Sequence, residues 1–290
     1  MIAVGFVLRK AFVIDSKTLA AVNIYIFVPA LLFTRIYYAD VTLNFIMNVF
    51  EYILIIMVLM YIMGFMTTRI MKMPVNISRV FINSLLFFNS GNYGLPLVEL
   101  VFKNNPIATT GQIIILLIQN ITVNTFGVFQ ASSGKSGRKI AIMNVVKQPA
   151  IYVIVIVAIV KGTGLHVPDV VLTPLNYFSG GFVAVALITL GVQLAEVRIG
   201  FRMKEIAVSC FLKLIVSPVL GFALVLLLGI KGILAQSLII GVSLPSAVNT
   251  AIIARQYDNE PEYASQIVFV STLASTVTLS IVIYLVTRFM

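Results

Sequence analysis

Two apolar stretches carry residues that a helix at membrane depth does not ordinarily hold: Asn89-Ser-Gly-Asn-Tyr-Gly-Leu-Pro96 and Gly241-Val-Ser-Leu-Pro-Ser-Ala-Val-Asn249. Proline lacks an amide proton and clashes with the preceding turn, and glycine relaxes the backbone, so both segments should unwind. Backbone groups freed in lipid must be satisfied by protein, water or ligand. Where each helix restarts, near Leu95 and Pro96 and again at Ser246 after Pro245, orphan amides and the positive dipole end favour an anion. Asn89, Ser90, Gly91, Asn92, Pro96, Pro245, Ser246, Asn249 and Thr250 are therefore the candidate substrate contacts. Together they describe a carboxylate site that needs no buried arginine. Polar stripes at Gln112, Asn120 and Asn124, and at Thr272, Ser275 and Thr276, should face protein or water. Hydrogen bonding between helices is a sufficient reason for these two stripes.

Ionisable residues within apolar runs are few. Glu99 stands four residues before Lys103, a spacing that pairs them on one helical face. Two readings of Lys213 stand: its ammonium snorkels to the headgroups, or it acts electrostatically on an anionic substrate. Arg35, Glu51 and Arg255 fall near the ends of apolar runs and read as interfacial. No aspartate or glutamate lies near the middle of a run, so a buried carboxylate relay for protons is not indicated. An interior-negative potential alone drives each negative charge outward by about 2.3 kcal/mol per 100 mV, so export of an anion needs no obligatory proton. Cys210 and His166 are the single cysteine and histidine, which gives no internal disulfide and no His-rich metal site; no cofactor is expected. Gly134-Lys135-Ser136 resembles the end of a phosphate-binding loop, but Phe129 stands where such a loop needs glycine.

Elements able to hold these residues follow from composition. Of 290 residues 60% are hydrophobic and 10% charged, with mean hydropathy +1.07, which excludes a soluble enzyme, a disordered chain and a secreted disulfide scaffold. The net charge of +10 comes from basic residues scattered between apolar runs, a pattern that does not suit nucleic acid. Nine runs of spanning length are expected as helices: 19–38, 45–66, 80–102, 109–129, 143–160, 170–195, 206–228, 233–254 and 265–286. Ahead of them Met1 to Leu8 reaches only ~12 Å, short of a hydrocarbon core of ~30 Å. With this stub counted as a first span, fourteen of the twenty basic residues fall in alternate connections. The positive-inside rule makes that side cytoplasmic and places both termini outside.

The polar connection at Ala131 to Lys139 divides the chain into residues 1–130, a cytoplasmic linker 131–142, and residues 143–290. Five spans per half is an odd number, so homologous halves would insert in opposite orientation. Pro96 and Pro245 are 149 positions apart, and Asn23 and Asn176 are 153 apart. Interrupted segments at matching places in two inverted halves point to a secondary transporter's binding site. The same offset places the start of the first span upstream of Met1, so the chain is expected to begin inside that span; a true nine-span protein is the alternative.

At these segments the sequence resembles the auxin efflux carrier family, which includes bacterial malate-permease-like proteins and the plant PIN-formed carriers. The marks are Val28-Pro-Ala-Leu-Leu-Phe33, Asn89-Ser-Gly-Asn-Tyr-Gly-Leu-Pro96, Leu212-Lys-Leu-Ile-Val-Ser-Pro218, Leu244-Pro-Ser-Ala-Val-Asn-Thr250 and Ala254-Arg-Gln-Tyr-Asp258. The resemblance implies an all-α membrane protein of ten helices in a 5+5 inverted repeat, its fourth and ninth helices crossing at Pro96 and Pro245. It implies a scaffold from helices 1, 2, 6 and 7, through which a homodimer would form, and a transport domain from helices 3–5 and 8–10. It further implies elevator-like movement of a small organic acid anion, a dicarboxylate or an indole acid, across the plasma membrane, with Asn89 as the lead contact and Asn92 and Asn249 behind it. The chain departs from the pattern in its truncated first helix. An anion channel and a non-transporting membrane sensor or subunit are the rival readings.

Overall fold

A computed structural model describes residues 1–39, 42–132, 148–197 and 202–289. The linker and its Gly134-Lys135-Ser136 triplet, like the expected start of the sixth span at Met143, lie outside the described residues. Twelve helical segments follow in order among the described residues. They are α1 (Ile2–Ala11), α2 (Ser16–Tyr38), α3 (Leu43–Ile70), α4 (Val75–Leu86), α5 (Leu95–Val101) and α6 (Pro106–Ala131), then α7 (Pro149–Thr163), α8 (Asp169–Leu194), α9 (Met203–Leu227), α10 (Gly232–Val242), α11 (Val248–Gln256) and α12 (Pro261–Phe289). Six of these, α2, α3, α6, α8, α9 and α12, are long and apolar enough to cross a membrane. The expected fourth and ninth spans are each split, into α4 with α5 and α10 with α11.

Local chemistry sets the ends. The Asp15 carboxylate accepts the amides of Lys17 and Thr18 at the start of α2, and Asn105 caps α6 through Ile107 and Ala108. Gly164, at φ 67, ends α7 in the left-handed conformation that glycine adopts freely.

Four π turns widen the helices, at Asn23–Phe27, Ser90–Gly94, Val123–Gly127 and Leu212–Val216. Three of them stop one residue short of a proline: Pro29, Pro96 and Pro218. Such a proline cannot donate to the ladder, and a turn closed five residues back shifts the missing bond without breaking the helix. The Val-Pro, Leu-Pro and Ser-Pro steps of the sequence motifs are thus where the helices widen.

Packing joins α1 to α8, α8 to α2 and α2 to α7, with α1 crossing α8 at backbone contact. An ideal Cβ on Gly5 would lie 2.1 Å from the Ile188 carbonyl oxygen, and one on Gly191 would lie 2.0 Å from that of Ile2. Only glycine permits this approach, as is common between membrane helices. The largest apolar cluster joins α3, α4, α6, α9 and α10 through Tyr52, Ile56, Phe81, Leu85, Ile115, Val225 and Leu238. A second cluster, with Leu31, Leu95, Leu116 and Phe182, ties α2 and α8 to α5 and α6. Outward faces stay apolar: Leu54, Val58 and Ile62 on α3 and Val277, Ile281 and Leu285 on α12 are exposed, as a lipid-facing belt requires.

Candidate functional site

The two interruptions lie against each other. The Asn89 amide donates to the Pro245 carbonyl at 2.9 Å, and the Ala247 amide returns the bond to the Phe87 carbonyl at 3.0 Å. Phe88 and Ser246 so form an isolated antiparallel bridge. Around it the last carbonyls of α4 all find donors. Asn83 O takes the Phe87 amide, Ser84 O the Ser246 hydroxyl at 2.9 Å, Leu85 O the Lys213 ammonium at 2.7 Å, and Leu86 O the Gln119 amide at 3.2 Å. The other Gln119 atom, Oε1, accepts the Phe88 amide at 2.8 Å. The carbonyls that unwinding frees at the end of α4 are therefore met by protein donors.

The restart differs from the sequence expectation in register. Unwinding is confined to Phe87–Asn89, and the wide turn Ser90–Gly94 carries the helix through Pro96, so the freed first-turn amides belong to Gly91 and its neighbours and not to Leu95. In the second half α11 begins at Val248, two residues beyond Ser246. The Ser246 amide is already used by the Ser271 hydroxyl at 3.2 Å.

A cavity of about 260 Å³ opens beside the bridge. Its wall includes Asn89, Ser90, Gly91, Asn92 and Asn249 among the expected contacts. Pro96, Pro245, Ser246 and Thr250 are buried behind it; the Thr250 hydroxyl is bonded to the Ala247 carbonyl at 2.7 Å. These four hold the breaks together and do not line the cavity. Asn120 and Asn124, from the polar stripe of α6, also face it, as do Gln119, Gln148 and Gln256, which sequence reasoning passed over. A glutamine seven residues after Gln112 was the available signal for Gln119. Among the described residues no charged side chain lines the cavity. Asn89 Nδ2 is buried and has no acceptor among the described residues. Asn92 is instead engaged on both sides: Asn23 Nδ2 donates to its Oδ1 at 3.2 Å, and its own Nδ2 donates to Gln193 Oε1 at 3.4 Å.

Outside the cavity several residues stand differently from expectation. Glu99 does not pair with Lys103, because α5 ends at Val101 and Lys103 turns back at φ 50. Its carboxylate takes Arg35 in a fork, Nε at 2.9 Å and Nη2 at 2.6 Å, and the Thr109 hydroxyl at 2.6 Å. Arg35 is accordingly a cross-helix partner and not a free interfacial residue. Lys213 does not snorkel: it is fully buried, with Nζ 3.5 Å from the centre of the Phe88 ring. Thr276, expected to face protein or water, is exposed on α12 and satisfies its hydroxyl on the Leu273 carbonyl. Among the described residues no group of His, Cys, Asp and Glu could hold a metal ion.

The profile of the family described as "Membrane transport protein" matches residues 135–283, just over half of the chain. The chain belongs to this family, the auxin efflux carrier family. An uncharacterized transporter of Methanothermobacter thermautotrophicus is 22% identical over 96% of this chain and 93% of its own length. A second, from Methanocaldococcus jannaschii, is 27% identical over 116 residues, 40% of this chain, and the match spans 38% of that protein. Family membership with six apolar helices makes this carrier-family protein a multi-pass membrane transporter.

Proposed function

We propose that the chain is a secondary carrier for a carboxylate-bearing organic anion, held at the junction of the two breaks and moved by elevator-type alternating access. The observation that carries this reading is Asn89: a buried amide donor without an acceptor among the described residues, on the wall of a cavity whose described lining carries no charge, between two helix restarts. Neutral donors suit a substrate that must be released, since one carboxylate on several amides is held without the grip of a buried cation. The first-turn amides from Gly91 onward and those at Val248 and Asn249 add partial positive charge from opposite directions.

In this reading α1 is the first helix, α4 with α5 the fourth, and α10 with α11 the ninth of a 5+5 inverted repeat whose broken members cross at the Phe88–Ser246 bridge. The two repeats are residues 1–130 and 143–290. Helices α1, α2, α7 and α8 form the scaffold and the others the moving domain. The cavity runs toward Gln148 and Gln256, at the ends of α7 and α11 that the basic connections mark as cytoplasmic. On the other side Arg35 of the scaffold grips Glu99 of the moving domain. Such an arrangement is an inward-facing carrier in the plasma membrane, with both termini outside. The Arg35–Glu99 ion pair between the two domains is also what favours alternating access over a channel.

Uptake of labelled malate and labelled indole-3-acetate into proteoliposomes under an imposed potential tests the proposal. Saturable flux of either acid with counterflow is expected. Unsaturable conductance, or binding with no flux, would replace the carrier by a channel or a sensor.

A further inference from the structure

Among the described residues one fully buried lysine has no carboxylate partner: Lys213, in the π turn of α9. A charge in such a place is costly unless fixed dipoles replace its hydration. Two groups do so. The Leu85 carbonyl accepts Nζ at 2.7 Å, and the Phe88 ring presents its face at 3.5 Å. Leu85 belongs to the last turn of α4, where unpaired carbonyls sum to a partial negative charge. Its neighbours Ser84 O and Leu86 O are met by a neutral hydroxyl and a neutral amide, so among the described residues Lys213 is the one basic side chain bonded to this helix end. Half-helix C-termini and unwound carbonyls at a break are the ligands with which secondary transporters coordinate a coupling cation.

We propose that Lys213 is a tethered cation, its ammonium standing at the C-terminal end of α4 where a dissociable Na⁺ or K⁺ would otherwise sit. The inference rests on the carrier reading for its consequence: the transport cycle needs no metal cation, because the charge that holds the break is covalently part of α9. Lys213 is a positioning residue. It does not line the cavity and acts through the Leu85–Phe88 turn, whose next residue is Asn89.

The test compares the full-length wild type with K213A and K213Q. First, thermal midpoints are measured in choline, sodium and methylammonium chloride, a readout independent of flux. The wild type is expected to be indifferent to the cation, whereas K213A should be raised by methylammonium or sodium over choline. Second, uptake of labelled malate and indole-3-acetate is measured in the same salts. Wild-type rates should be equal in sodium and choline, K213A about tenfold slower in choline, as for one lost charge-assisted hydrogen bond, and recovered by methylammonium. K213Q keeps a neutral donor without charge and should behave like K213A; if K213A does not fold, K213Q is read in its place. The proposal is overturned if the wild type requires sodium, if K213Q matches the wild type in choline, or if no small cation moves the variants' midpoints. Absence of flux for both acids would sink the carrier reading, while the midpoints still decide the tether.

Discussion

Asn89 donates its backbone amide to the Pro245 carbonyl and keeps its side-chain Nδ2 without an acceptor among the described residues. One residue thus joins the two broken segments through its main chain and offers its side chain to the cavity. The two roles can be separated, because substitution removes the second and leaves the first. Asn89→Ala should keep the fold, with a thermal midpoint close to that of the wild type. It should weaken binding of the transported acid by about tenfold, the worth of one net hydrogen bond. Titration calorimetry with the acid found in uptake assays checks the binding, and a thermal unfolding scan checks the midpoint.

The Arg35–Glu99 pair makes a different prediction. Glu99 is 3% exposed and holds three hydrogen bonds, two from Arg35 and one from Thr109. Removing either charge strands the other in a site with little water. Glu99→Gln and Arg35→Met should each cost about 3 kcal/mol, and the double variant much less than their sum. A double-mutant cycle on thermal or denaturant unfolding in detergent measures the coupling. Coupling near zero would show that the pair is not formed in the protein.

Contact between α1 and α8 predicts a loss from adding a single methyl group. With an ideal Cβ placed 2.1 Å and 2.0 Å from carbonyl oxygens of the facing helix, Gly5→Ala and Gly191→Ala must each force the helices apart. A cost of about 1–3 kcal/mol is expected for each, typical of overpacking against atoms that cannot rotate away. Gly162→Ala serves as the control, since nothing lies within 4 Å of its added carbon. Unfolding midpoints of the three variants give the comparison.

These cases show which features a sequence carries and which it does not. Gly, Pro and Asn inside apolar runs announced the two breaks, because each acts on its own backbone. Where the helix restarts was misplaced by several residues, since the wide turn Ser90–Gly94 absorbs Pro96 and moves the unwinding upstream to Phe87–Asn89. The partner of Glu99 was hidden for a related reason. A spacing of four predicts a pair only while the helix continues, and α5 stops two residues before Lys103. Depth along a helix suggested that Lys213 could reach the headgroups. Its true surroundings, the end of α4, lie far away in sequence. Gln119 illustrates the remaining limit: its two bonds to Leu86 and Phe88 depend on how α6 packs against α4, which no local pattern encodes.

The central claim is that an organic acid sits between the two helix restarts. A cryo-electron microscopy map of the full-length protein in lipid nanodiscs, saturated with the acid that it transports, tests this most directly. The account predicts carboxylate density in the cavity beside the Phe88–Ser246 bridge, within hydrogen-bonding distance of Asn89 Nδ2 and near Asn249. Density for the acid elsewhere, or an unbroken helix running from α4 into α5, would contradict it.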